Sequence, residues 1–99
     1  LGNMHNLAEY DDKMNLKMVT NHATIICVQG KKSITTYPGQ AVSIMAIHSV
    51  NSISVSGLKY PIVDEKLLPS SRAICNETLS NKFSLNTTDT VWVFINHPD

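Results

Sequence analysis

Cys27 and Cys75 are the only cysteines of the chain, and their thiols are its most reactive side chains. Zinc and thiol-redox chemistry call for close pairs of the Cys-x-x-Cys kind, and no such pair is present. Each cysteine instead sits in a short apolar run, Ile25-Ile26-Cys27-Val28 and Ala73-Ile74-Cys75. The simplest reading is one disulfide pinning two sheets together, with two reduced, buried thiols as the alternative. Such a bridge closes a loop of about 49 residues and restricts the unfolded chain by roughly 4 kcal/mol. That is comparable to the net stability of a small domain.

The other reactive side chains form no recognisable constellation. His5, His22, His48 and His97 have neither helical i, i+4 spacing nor a close companion ligand. A blue-copper site needs cysteine, histidine and methionine together near the C-terminal end, and after Cys75 no histidine or methionine comes before His97. Val55-Ser56-Gly57 lacks the flanking glycine pattern of a nucleophile elbow. The acidic pairs Asp11-Asp12 and Asp64-Glu65 read as solvated faces, and the four glycines are too scattered for a phosphate loop. Neither a catalytic residue nor a metal or cofactor site is expected. Asn76-Glu77-Thr78 and Asn86-Thr87-Thr88 are sequons that matter only on a secretory route.

The elements that would position these residues are short and β-rich. At 99 residues the chain reads as a single folded domain, 20–97, preceded by an N-terminal extension, 1–19. In that extension Leu7, Tyr10, Met14 and Met18 fall near one helical face, with Asn6 as N-cap and Glu9 at the third helical position. A frayed tail or a short helical turn is expected there. Strands are expected over Ala23–Val28, Ile34–Tyr37, Ala41–His48, Val50–Gly57, Lys59–Val63, Lys82–Leu85 and Thr90–Ile95. Turns are expected at Gly30-Lys31-Lys32, Pro38-Gly39 and Asn86–Asp89. The cleanest alternation places Ile53 and Val55 inward against Ser52, Ser54 and Ser56. Large residues on both faces of the last strand predict Trp92 or Phe94 in the core. The pattern is that of a small β-sandwich or barrel.

Charge narrows the partners. Lys plus Arg equals Asp plus Glu at 8 each, and Lys31-Lys32 is the only basic pair, which disfavours nucleic acid. No apolar run reaches membrane-spanning length. The chain opens Leu1-Gly2-Asn3 without an apolar leader, so any signal peptide is expected to have been removed. What remains is recognition surface. The Ala41–Gly57 region, with His48 and Asn51 at its turn, could offer a sheet edge to an added strand.

This layout resembles the MAX effectors of plant-pathogenic ascomycete fungi. The shared features are a first cysteine on an apolar strand, a Pro38-Gly39 turn, and a late second cysteine in Ala73-Ile74-Cys75-Asn76 followed by two strands. The resemblance covers roughly residues 20–97. It implies an all-β fold, a small six-stranded β-sandwich of two three-stranded antiparallel sheets, with one disulfide between Cys27 and Cys75. It further implies a secreted, non-enzymatic virulence protein that reaches the host cell cytoplasm. Its partner would be a host plant protein, a small heavy-metal-associated domain or an immune receptor, bound through sheet edge and loop surfaces. The contact strand would be the one with Ala41, Ser43, Met45 and Ile47. An immunoglobulin-like adhesion or surface-antigen domain is the competing reading. Against it, Trp92 follows Cys75 and residue 73 is alanine, where a tryptophan between the cysteines and a tyrosine at that position are expected.

Overall fold

The computed structural model describes residues 7–11, 15–69 and 73–98. Eight strands are formed: β1 Leu7–Asp11, β2 Asn15–Val19, β3 Ala23–Thr35, β4 Ala41–Ala46, β5 Val50–Ser56, β6 Ile62–Leu67, β7 Ile74–Glu77 and β8 Lys82–Asn96. All pairings between them are antiparallel. Their main order is β1-β2-β3-β8-β4-β7, and β5, itself paired with β6, joins the sheet through β8. This single branched sheet replaces the expected pair of three-stranded sheets. Residues 7–11 and 15–19 form strands where a frayed tail or a short helical turn was expected, and the proposed cap Asn6 and Met14 lie outside the described residues.

The branch point lies inside β8. One edge of that strand pairs with β3 along most of its length. The other edge pairs with β5 over Ser84–Thr87 and with β4 over Val91–Ile95. The residues between, 88–90, bulge. Val28 lies opposite Val91, but Gly30 lies opposite Thr87, so β8 carries two extra residues there. A one-residue slip would turn every later side chain to the other face, whereas two extra residues preserve parity. Phe83, Leu85 and Thr87 before the bulge and Val91, Val93 and Ile95 after it are therefore all buried.

Two expected turns are thus parts of this bulge. Gly30 takes φ 86° and carries β3 past it without reversing the chain. Asn86–Asp89 stays in β8 because its polar side chains satisfy the displaced backbone. The Thr87 hydroxyl donates to the Asp89 carbonyl at 2.7 Å. Asp89 Oδ2 accepts the Asn51 N–H at 3.0 Å, and Thr88 Oγ1 accepts the Ser52 N–H at 3.0 Å. These bonds fasten the bulge to the start of β5. The Asn51 N–H and the Thr88 hydroxyl hold the Asp89 carboxyl below the usual carboxylate range.

The core lies between the two branches. Val42, Ile44 and Ala46 from β4 join Ile53 and Val55 from β5, Ile26, Val28 and Ile34 from β3, and the buried residues of β8. Ser52–Ser56 alternates as its sequence predicts, with Ile53 and Val55 inward. Trp92 and Phe94 do not join the core. They point away from it and are half-buried on the outer face, because the odd-numbered residues of β8 take the inner one.

Strand order removes the disulfide: both thiols are free. Cys27 lies opposite Trp92, Trp92 opposite Met45, and Cys75 opposite Ser43, so β8 and β4 separate the cysteines. Three strand spacings of roughly 4.8 Å put them on the order of 14 Å apart, well beyond the reach of a bridge. Burial pushes the Cys27 thiol up from its ordinary value.

Candidate functional site

Four strand segments and two loops build a groove. On the outer side of the β5 branch, register places Ser56 beside Ser84 and Ser84 beside Ser33, with Ser54 beside Asn86 and Asn86 beside Lys31. The alternation that buries Ile53, Val55, Phe83 and Leu85 turns these polar neighbours outward. Leu58, Pro61, Ile62, Val63 and Leu79 complete the walls and enclose about 620 Å³. Apolar walls with a few convergent polar groups are the common make-up of a small-molecule site.

The loop wall depends on Gly57 and Asn76. Gly57 has φ 89°, and a Cβ placed there would stand 3.1 Å from both the Lys82 carbonyl oxygen and Phe83 Cα. Only glycine therefore lets the chain leave β5 so close to β8. Beyond it, Leu58 forms an isolated bridge to Thr78, and the Lys59 N–H donates to the Glu77 carbonyl at 2.8 Å. Asn76, itself buried, then grips the next residue by both backbone groups. The Tyr60 N–H donates to Asn76 Oδ1 at 3.0 Å, and Asn76 Nδ2 donates to the Tyr60 carbonyl at 2.7 Å. A side-chain amide thus stands in for a strand neighbour. The Tyr60 ring is left 60% exposed next to the lining residue Pro61, with Lys59 Nζ 5.6 Å from its centroid. Because the Asn76 amide nitrogen is buried and bonded, this sequon is closed to a glycan in the folded chain.

A second cavity of about 570 Å³ is lined by Asn21, His22, Asn96, His97 and Pro98, at the end of the sheet where β3 begins and β8 finishes. There His97 Nε2 and Thr24 Oγ1 are 2.7 Å apart, and the His97 N–H donates to the His22 carbonyl. His48 follows β4 at its bulge end, so it and His97 stand at opposite ends of the β8 segment from Val91 to Asn96 and do not converge.

The residues expected to bind a partner fall elsewhere. Ala41, Ser43 and Met45 lie on β4, which is an interior strand: it is bonded to β8 on one side and, over Ala41–Ile44, to β7 on the other. It offers no free edge along that stretch. Ser43 and Met45 are half-buried on the outer face beside Phe94 and Trp92, and Ile47 is exposed just past the strand. Sequence reasoning overlooked Ser54 as a groove residue, and Asn76 as the side chain that holds the loop wall through the Tyr60 backbone. An alternating strand ending in Gly57, followed at once by an exposed-type aromatic beside a lysine, was the available signal.

The chain has recognisable relatives. The family model described as thiamin pyrophosphokinase, substrate-binding domain, matches residues 24–94. No curated protein matches in sequence. The crystal structure of thiamin pyrophosphokinase from Geobacillus thermodenitrificans superposes with a TM-score of 0.70 at 18% identity, over 84% of this chain and 40% of that one. The Bacillus subtilis thiamine pyrophosphokinase gives 0.71 at 15% identity, over 86% and 42%. A thiamin pyrophosphokinase family protein from Enterococcus faecalis gives 0.69 at 12% identity, over 84% and 40%. The chain thus spans about two-fifths of the solved structures it resembles.

These matches overturn the MAX-effector resemblance, and with it the virulence role and the host-protein partner. The immunoglobulin-like alternative falls on the same findings, as does the expectation of a non-enzymatic chain, because the matched proteins are named as kinases. The layout misled because free cysteines on β-strands look, in sequence, the same as bridged ones.

Proposed function

We infer, from the premise that this chain belongs to the family of thiamin pyrophosphokinase substrate-binding domains, that its groove binds thiamin. One observation carries this reading. Every residue lining the 620 Å³ groove lies between Lys31 and Asn86, inside the matched span of 24–94, whereas every residue lining the second cavity lies outside it.

Thiamin chemistry suits the groove. The molecule joins a flat aminopyrimidine, rich in hydrogen-bonding edges, to a cationic thiazolium bearing a hydroxyethyl arm. Ser54, Ser56 and Asn86 offer short polar groups to the pyrimidine edges, and Leu58, Val63 and Leu79 cover ring faces. Tyr60, exposed next to the lining residue Pro61, is the aromatic ring assigned to the thiazolium, with the Lys59 side chain moving aside to admit it.

In the complete enzyme the reaction moves a diphosphoryl group from a nucleoside triphosphate to the thiamin hydroxyl. The hydroxyl oxygen bonds to the β-phosphorus and gives up its proton to solvent, the bond from that phosphorus to the α-phosphate oxygen breaks, and the nucleoside monophosphate leaves. Holding the hydroxyl in one orientation is this domain's contribution, a positional effect rather than a proton transfer. Titration of the full chain with thiamin by calorimetry tests the reading. Saturable 1:1 binding is expected, with affinity about tenfold lower in Tyr60→Ala and unchanged in Trp92→Ala. A folded wild-type protein that binds no thiamin overturns it.

A further inference from the structure

The serines of the groove do not spend their hydrogen bonds alike. Ser33 and Ser84 hydroxyls bond each other across the strands at 3.0 Å. Ser54 Oγ instead accepts the backbone N–H of Asp64 at 2.9 Å and donates to no described residue. A serine hydroxyl has one proton, so a lone pair occupied in this way leaves that proton to point elsewhere. Ser54 lines the groove, and Asp64 does not.

Asp64 holds this arrangement through its backbone. Its φ is 45°, and it is the one non-glycine residue with positive φ among the described residues. Aspartate, asparagine and glycine accept that conformation, whereas β-branched residues resist it. The pairing of β5 with β6 is irregular on both sides of Ile53, the residue before Ser54, so Asp64 leaves the ordinary ladder there. Its N–H is thereby free to meet a side chain. On its other side, Asp64 Oδ1 accepts the Ser52 hydroxyl, which ties the same residue to β5 a second time.

We propose that Asp64 is a positioning residue: its left-handed backbone sets its N–H on Ser54 Oγ and so turns the Ser54 hydroxyl into a hydrogen-bond donor aimed into the groove. The ligand atom that Ser54 receives is then an acceptor, an unprotonated ring nitrogen of the aminopyrimidine. This rests on the reading that the groove binds thiamin and adds the polarity of one contact to it.

The test is a calorimetric titration of the full chain with thiamin and with an analogue in which a pyrimidine ring nitrogen is replaced by CH. Asp64→Gly, which keeps both the φ and the N–H, should bind thiamin as the wild type does. Asp64→Val should weaken binding roughly fivefold to tenfold, the worth of one hydrogen bond. Adding Asp64→Val to Ser54→Ala should cost nothing further. The analogue should lose the same factor on the wild type and none on Ser54→Ala, and this arm requires no change in β6. Equal losses in Asp64→Gly and Asp64→Val overturn the backbone role, and losses that add in the double variant overturn the coupling to Ser54. Amide exchange by NMR gives a ligand-free readout: the Asp64 N–H should exchange more slowly in the wild type than in Ser54→Ala, and equal rates overturn the geometry. A wild-type chain with a protected Asp64 amide but no thiamin binding overturns the thiamin reading instead, and the donor assignment with it.

Discussion

Along β8 the outward residues change from Ser84 and Asn86 before the bulge to Trp92 and Phe94 after it, while the inward residues stay buried throughout. The neighbouring strands follow suit. Ser54, Ser56 and Ser33 flank the first half, and Met45, Ser43, Ile25 and Cys27 flank the second. One strand therefore contributes a single continuous core and two unlike outer faces. The apolar outer face stabilises its own pairing, since aromatic and aliphatic cross-strand neighbours contribute several tenths to one kcal/mol per pair. The polar outer face has less to gain from pairing and carries the groove. Apolar content alone is a poor guide to where a small β domain binds.

The largest expected effect separates core from outer face. Phe83→Ala should cost about 3–5 kcal/mol in chemical denaturation, because the ring is 1% exposed. Trp92→Ala should cost about 1–2 kcal/mol, as befits a half-buried cross-strand neighbour. Equal losses would show that Trp92 belongs to the core and would dissolve the distinction between the faces.

Next come the glycines. Gly57→Ala combines a left-handed φ with contacts near 3.1 Å and should destabilise by about 2 kcal/mol, weakening thiamin binding as the loop wall shifts. Gly30→Ala has nothing within 4 Å of its added Cβ and should show only the conformational penalty, about 1 kcal/mol. Comparison of the two melting temperatures checks the difference.

A smaller effect concerns the thiols on the apolar face. Intact mass after alkylation without reductant should show two modified cysteines, with exposed Cys75 labelled before Cys27. Burial raises the Cys27 thiol, so less of it is thiolate at a given pH and its labelling should rise only at higher pH. Simultaneous labelling would mean that the outer face is more open than its half-buried residues indicate.

The smallest effect lies at the bulge. Asp89 has its carboxyl lowered in the folded state, so its contribution is present above the ordinary carboxylate range and fades as pH falls through the depressed value. Asp89→Asn should melt below the wild type at neutral pH, with the gap closing in strongly acid solution. A gap that does not change with pH would assign the role to shape rather than charge.

Sequence alone determined the class of the fold and much of its interior. Ser52–Ser56 alternates in the sequence as in the structure, because period-two burial is a local property that the chain states residue by residue. Pro38-Gly39 turns as its residues predict, with φ 82° at Gly39. Which strands pair, and therefore what the cysteines, Trp92 and the serines do, was decided only by tertiary structure. Gly30-Lys31-Lys32 and Asn86–Asp89 have turn-like compositions, yet they lie opposite one another in two long strands, and only that partnership makes them one bulge instead of two reversals. The site was hidden for the same reason. Ser54, Ser84 and Ser33 are far apart in sequence and become neighbours through register, while Asn76 and Tyr60 meet because a side-chain amide replaces a strand. Alternation fixes which face a residue takes, but cross-strand partnership fixes what lies beside it, and binding chemistry depends on the second.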